Sequence, residues 1–285
     1  MAYIRCKDGV NIYYEIEGEG RPILFLHGWS MSSSVWRYQK EDLSREFKVI
    51  TLDLRGHGQS DKPGQEYNFD IFADDLNHVI NTLALSDLTI VGWSMASFIL
   101  VRFFLRYPGQ ISALVFVGGT PKFVADKAYR HGQPIGTVTR LEQNLRRDYD
   151  NYIRDFCSRL FISDEDIDEE RSKEIWDLLF DERFPPPDYV SISTLKAIAR
   201  EDIRDSLAMI NLPTLILHGS LDKICPPGAA GYMAKNIPGA KKIILNGLGH
   251  APFLTQPGVF NKCIKKFMEG APFSPLKCSE ILQNK

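Results

Sequence analysis

Short apolar runs alternate with amphipathic stretches along most of the chain. Tyr3-Ile4-Arg5-Cys6 and Asn11-Ile12-Tyr13-Tyr14-Glu15-Ile16 are strand-like and flank Lys7-Asp8-Gly9, which predicts a hairpin. Residues 22–26 read as a buried strand, 33–45 as a helix and 48–53 as the next strand. Phe69, Phe72, Ala73, Leu76, Val79, Ile80 and Leu83 recur at helical spacing, which predicts a helix over 69–83. A strand at 88–91, a helix at 95–106 and a strand at 111–117 continue the rhythm. Such alternation implies a mostly parallel sheet covered by helices on both faces.

The rhythm breaks between about residues 121 and 207. That stretch lacks strand signals, is rich in charge and helix formers, and ends near Pro185-Pro186-Pro187 and one further helix. Strand 213–218, helix 229–236, strand 242–245 and helix 257–268 then resume the pattern. The expected architecture is one α/β core, 1–120 and 208–270, with an eight-stranded sheet. A helical insertion, 121–207, separates the sixth and seventh strands. The tail, 271–285, contains Pro272 and Pro275 and is expected to be loosely held.

Composition narrows the function classes. The chain has 285 residues, enough to bury a large core, and its net charge of -2 gives no general attraction to nucleic acid or an anionic membrane. The five cysteines are scattered and form no Cys-x-x-Cys pair, as expected of reduced thiols rather than a disulfide framework or zinc site. There is no apolar signal core and no run long enough to span a bilayer, so the expected location is cytoplasmic. His-Glu-x-x-His, P-loop and Gly-x-Gly-x-x-Gly patterns are all missing, and no metal or organic cofactor is expected.

The chemistry centres on Gly92-Trp93-Ser94-Met95-Ala96, between a strand and a helix. A turn of this kind lifts a serine onto a sharp corner at a helix N-terminus, although alanine stands where the second glycine of Gly-x-Ser-x-Gly belongs. A serine hydroxyl needs a base, a group orienting that base, and donors for the oxyanion. In folds with this elbow the chain order is Ser, Asp or Glu, then His. Asp222, just past a strand, and His250, the one histidine that follows it, fit that order. The Met95 N–H and the Trp29 N–H, in His27-Gly28-Trp29-Ser30, are the expected oxyanion donors, with Gly28 permitting the turn. His27 and His218 end strands and are expected to tie loops down.

Together, Phe25-Leu26-His27-Gly28-Trp29, Asp53-Leu54-Arg55-Gly56-His57-Gly58-Gln59-Ser60, the elbow, His218-Gly219-Ser220-Leu221-Asp222 and Gly249-His250 resemble the α/β-hydrolase family. The resemblance spans residues 12–268, with the insertion as the family's variable cap, and Ser94 rather than Asp implies acyl chemistry. Within the family the chain is similar to the carboxylesterases of biotin synthesis, which demethylate pimeloyl-[acyl-carrier protein] methyl ester. The similarity lies in His27-Gly28-Trp29, Gly92-Trp93-Ser94, Thr120-Pro121-Lys122-Phe123 and His250-Ala251-Pro252-Phe253. It implies an acyl site lined by Phe156, with Trp29, Ser94, Met95 and His250 in contact with substrate. It also implies an acidic carrier protein docking on the basic part of the cap, at Arg146, Arg147, Arg154 and Arg159. The alternative reading is solvated helix faces with local ion pairs. Two other functions fit the same residues. One is a hydrolase of small esters, lactones or C–C bonds, differing at Phe123, Phe156 and Phe161. The other is a slow-turnover ligand-binding signalling protein.

Overall fold

Eight strands join edge to edge: β1 (Ala2–Arg5), β2 (Asn11–Glu17), β3 (Pro22–Leu26), β4 (Lys48–Leu52), β5 (Thr89–Trp93), β6 (Ala113–Val117), β7 (Thr214–Gly219) and β8 (Lys241–Leu245). Their order across the sheet is β1-β2-β4-β3-β5-β6-β7-β8. These features come from a computed structural model describing residues 2–270 apart from 65, 163, 164, 166 and 181–184; the tail, 271–285, lies outside the described residues. The predicted hairpin pairs β1 with β2, and the pairs β1·β2 and β2·β4 are antiparallel. All other pairs are parallel.

Strands β5, β6 and β7 are buried along their whole length, as parallel strands covered on both faces must be. The period-two alternation of side chains divides each strand between two cores. Leu24 and Leu26 of β3 face one core with α2 (Phe69–Thr82) and α3 (Ala96–Arg106). Ile23 and Phe25 face the other, with Trp36, Phe253 and Phe260 and the helix Pro257–Met268.

Element boundaries shift from the sequence pattern in two instructive places. Residues 33–45 split into a 3-10 turn, Ser33–Trp36, and α1 (Arg37–Leu43). Asp53 Oδ1 takes the Ser33 N–H at 2.7 Å, and the Ser34 hydroxyl donates to the Leu178 carbonyl at 2.8 Å, which ties this turn to the end of β4 and to the helix Glu169–Leu179. The helix expected from residue 95 starts at Ala96, with Met95 as its N-cap directly after Ser94 at φ +54°.

Between β6 and β7 the chain carries α4 (Ile135–Arg147), α5 (Tyr149–Ser158), α6 (Glu169–Leu179) and α7 (Asp188–Arg200). The stem of this segment closes on itself. Lys122 and Asp202 form an isolated bridge, and the Ile203 N–H donates to the Pro121 carbonyl at 2.9 Å. After β7 come α8 (Gly228–Asn236), α9 (Pro252–Thr255) and α10 (Pro257–Met268). Among the described residues no helix is long and apolar enough to cross a membrane. Cys6, Cys157, Cys225 and Cys263 are free and buried, while Cys278 lies outside the described residues.

Two histidines tie the loops over this sheet. His27 donates from Nδ1 to the Gly28 carbonyl and accepts the Leu54 N–H at Nε2, 3.0 Å away. Its ring lies 5.1 Å from that of His57, and both are fully buried. Burial pushes His27 down to about 4, and burial together with the charge of its neighbour pushes His57 down to about 3. Below the unfolded histidine range the unfolded chain binds protons that the native state refuses, so stability falls with pH. Between pH 7 and 5 each histidine should remove about 2 kcal/mol, since both stay neutral in the fold across that window. Urea midpoints for the wild-type chain and His57→Gln at both pH values check this, because the comparison cancels the carboxylates. A loss equal in the two chains would refute it.

Candidate active site

The serine sits where strand and helix pass at closest range. At φ +54° Ser94 occupies the left-handed region, which costs a non-glycine residue of order 1 kcal/mol and persists only under tertiary constraint. The constraints are visible: the Ser94 N–H donates to the Val117 carbonyl at 2.9 Å, and the Ser94 carbonyl accepts from the Ser97 N–H at 2.9 Å. A Cβ on Gly92 would come within 2.6 Å of Leu100 Cδ1 and 3.1 Å of Ala96 Cβ. The methyl of Ala96 is thus housed because position 92 has none. Gly28 answers to the same pressure: a Cβ there would meet Trp93 Cε3 at 2.9 Å. Its requirement is the close approach of the Trp93 ring, where sequence reasoning had invoked the turn.

Registry brings the other candidates to the same edge. Trp93 pairs with Val117, Val117 with Leu217, and Gly219 with Leu245, so the chain leaves β5, β7 and β8 along one side of the sheet. Crevices outside the carboxyl ends of parallel strands are the usual binding places of open α/β sheets. His250 Nδ1 donates to Asp222 Oδ2 at 2.7 Å, and both residues are buried. Asp222 Oδ1 accepts the N–H groups of Ile224 and Cys225 at 2.8 and 2.9 Å, an Asx-type turn. The turn role and the imidazole-orienting role therefore coincide in one carboxylate. His218 adds to it: its Nε2 donates to the Cys225 carbonyl at 2.7 Å and lies 3.2 Å from Asp222 Oδ2. Burial works against the charge on Asp222. The charge of His250 and the hydrogen bonds from His218 and His250 outweigh it, holding the carboxyl well below the usual range.

With Nδ1 committed to Asp222, His250 Nε2 is left as a buried atom with no partner. The ring packs 5.5 Å from that of Trp93 and against Gly118, and the Trp93 indole N–H donates to the His250 carbonyl at 3.0 Å. Sequence reasoning puts the Ser94 hydroxyl in hydrogen-bond reach of this imidazole, but the structure has no such bond. The hydroxyl interacts with the Cys225 thiol instead, and His250 Nε2 stays without a partner. Unliganded sites often hold such bonds open. Cys225 is not a rival nucleophile, since burial pushes its thiol up.

Ser94 opens into a narrow apolar pocket with a cavity volume of about 20 Å³. Trp29, Met95, Phe98, Phe156 and Leu195 help to line it. Trp29 and Phe156 meet edge to face with centroids 4.8 Å apart, and the Trp29 indole N–H is tied to the Ser191 carbonyl at 2.9 Å. Among the described residues neither the Trp29 nor the Met95 backbone N–H has a backbone acceptor, as free oxyanion donors would not. Phe123 also faces this pocket, whereas Phe161 lines an outer groove. That groove shares Phe123, Leu141, Phe156 and Ile224 with the pocket and bears Arg140, Arg159 and Lys223.

The four arginines of the basic stretch have different surroundings. Arg159 lines the outer groove and pairs with Asp155, while Arg154 lies over the Phe180 ring in a separate cleft beside Ser30 and Pro186. Arg146 pairs with Glu142 at 2.9 Å, and Arg147 bonds the Tyr152 hydroxyl. Sequence reasoning missed Cys225, Thr120, Ile198 and Ile224 as pocket walls, because apolar side chains from distant segments carry no spacing signal. It also missed His218 as a partner of Asp222, although the i, i+4 separation was in view.

A sequence profile described as the alpha/beta hydrolase fold matches residues 21–257. The AB hydrolase superfamily protein YisY of Bacillus subtilis is 31% identical over 268 residues, 93% of this chain and 98% of that protein. A pimeloyl-[acyl-carrier protein] methyl ester esterase of Nitrosomonas europaea is 32% identical over 254 residues, 89% of this chain and 98% of the relative. Among solved structures, an esterase from Exiguobacterium antarcticum superposes with a TM-score of 0.87 at 30% identity, covering 94% of this chain and 98% of its own. The eight-stranded sheet, its order and these matches agree: the chain belongs to the α/β-hydrolase-fold family.

Proposed function

We propose that the protein is a serine carboxylesterase in which Ser94, His250 and Asp222 act as a triad. The observation that carries this reading is a serine held at φ +54° on the strand-to-helix turn, beside an imidazole whose Nδ1–H is fixed by Asp222 and whose Nε2 is bare. On rotation of its side chain away from Cys225, the Ser94 hydroxyl attacks the ester carbonyl and passes its proton to His250 Nε2. The new O–C bond forms as the carbonyl oxygen becomes an oxyanion, held by the Met95 and Trp29 N–H groups. Collapse breaks the bond to the alcohol, which leaves with the proton from the imidazolium. Water, giving its proton to the same nitrogen, then cleaves the acyl-enzyme and restores Ser94. Asp222 keeps the imidazole in the accepting tautomer and stabilises the imidazolium throughout.

The substrate we propose is a methyl ester of pimeloyl-[acyl-carrier protein]. Two observations support this: the name of the Nitrosomonas relative, and the apolar side chains that line the narrow pocket beside Ser94. The outer groove with Arg140, Arg159 and Lys223 would face the acidic carrier, steering it more than gripping it. This is a narrower basic surface than the four arginines singled out in the sequence. Hydrolysis of pimeloyl methyl ester, free and carrier-linked, tests the reading side by side. We expect Ser94-dependent methanol release from both, faster from the carrier-linked ester. Inertness toward both, with simple esters cleaved, would sink the substrate while leaving the esterase.

A further inference from the structure

We infer that Glu165 is a positioning residue for the catalytic imidazole: the cap segment that bears it holds the backbone of the His250 loop. The inference rests on the reading of His250 as the base. Three hydrogen bonds fix the backbone at this point, and two of them come from the cap. The Gly249 N–H donates to Glu165 Oε1 at 2.8 Å, and the His250 N–H donates to the Leu160 carbonyl at 2.8 Å. The core supplies the third, from the Trp93 indole to the His250 carbonyl.

Glycine at 249 has its explanation here. A Cβ at that position would stand 2.6 Å from the Leu160 carbonyl oxygen and 2.8 Å from Glu165 Oε1. The cap segment lies so close to the loop that only a residue without a side chain fits between them. Glu165 is itself buried, and the same Oε1 accepts the Ile162 N–H at 3.2 Å, so the carboxylate folds the cap segment while gripping the loop. Asp222 fixes one nitrogen of the ring, but the direction in which Nε2 points also depends on the backbone that carries the ring. An error of about 1 Å at that nitrogen can cost on the order of a hundredfold in rate. The role does not need a negative charge. Burial raises the Glu165 pKa, and Oε1 accepts from Gly249 in either protonation state, as a glutamine oxygen would.

Kinetics on p-nitrophenyl acetate, whose acyl group is too short to depend on the cap wall, test this. Glu165→Ala should lower kcat about tenfold with KM unchanged, the effect of losing one hydrogen bond to a buried donor. Glu165→Gln should restore kcat to within about twofold of the wild-type value. If Glu165→Ala does not fold, Glu165→Asp, with the carboxylate withdrawn by one methylene, carries the same expectation of a kcat loss. A kcat within twofold of wild type in the soluble alanine or aspartate variant would overturn the inference. So would a rise in KM alone, or equal losses in the alanine and glutamine variants. Ser94→Ala and His250→Ala, assayed in parallel, separate the two claims. Full activity in either refutes the triad itself, whereas inactivity in both with an unaffected Glu165→Ala refutes only the positioning role.

Discussion

Ser94→Ala should lower kcat/KM for a short p-nitrophenyl ester by roughly 10⁴-fold or more, leaving the fold intact. The reasoning is that all covalent catalysis runs through this hydroxyl, while pocket and oxyanion donors survive its removal. The residual rate should therefore still exceed hydrolysis in water. Alanine also keeps the Cβ and the strained backbone, so the melting temperature should move little. The neighbouring Cys225 cannot take over, because burial keeps its sulfur a protonated thiol. Wild-type turnover by this variant would place the chemistry elsewhere. A wild-type chain turning over well below about 1 s⁻¹ on every ester would favour the slow-turnover signalling alternative.

Asp222→Asn should cost a similar factor in kcat, about 10⁴, through the tautomer. The asparagine oxygen can still take the Ile224 and Cys225 N–H groups, which leaves its NH2 facing His250 Nδ1. The imidazole must then present a bare Nδ1 and carry its proton on Nε2, where it can no longer accept from serine. Asp222→Ala goes further. It strands two backbone N–H groups and the His250 Nδ1–H in a buried site, a loss of order 3–5 kcal/mol. Because the native carboxyl is held low, its contribution is fully present above the unfolded carboxyl range and is lost as pH falls through the folded value. The stability gap between wild type and Asp222→Asn should thus narrow as pH falls below about 4. Urea unfolding across that range, with initial rates at neutral pH, checks both halves. A rate loss without the expected pH behaviour of stability would mean that the carboxylate acts in catalysis but is not a net-stabilising ion in the fold.

The basic cap stretch teaches a different lesson from the triad. Runs of arginine are legible in a sequence, but the groove each one faces is not. Arg154 and Arg159 lie five residues apart on and just after one helix and line different clefts. Arg140 and Lys223 reach the pocket's outer groove from separate parts of the chain.

What the residues alone determined were the sheet, the helical segment between β6 and β7, and the chain order of serine, aspartate and histidine. These are written in local patterns: apolar runs of strand length, helical spacing from Phe69 to Ile80, and loop residues just past strand ends. Only the tertiary structure decided which alanine an elbow can house, that two histidines converge on Asp222, that Ser94 rests on Cys225, and that the cap grips Gly249. Each depends on contacts between segments distant along the chain, where close packing and hydrogen-bond direction select one arrangement. A one-dimensional pattern holds no record of that distance.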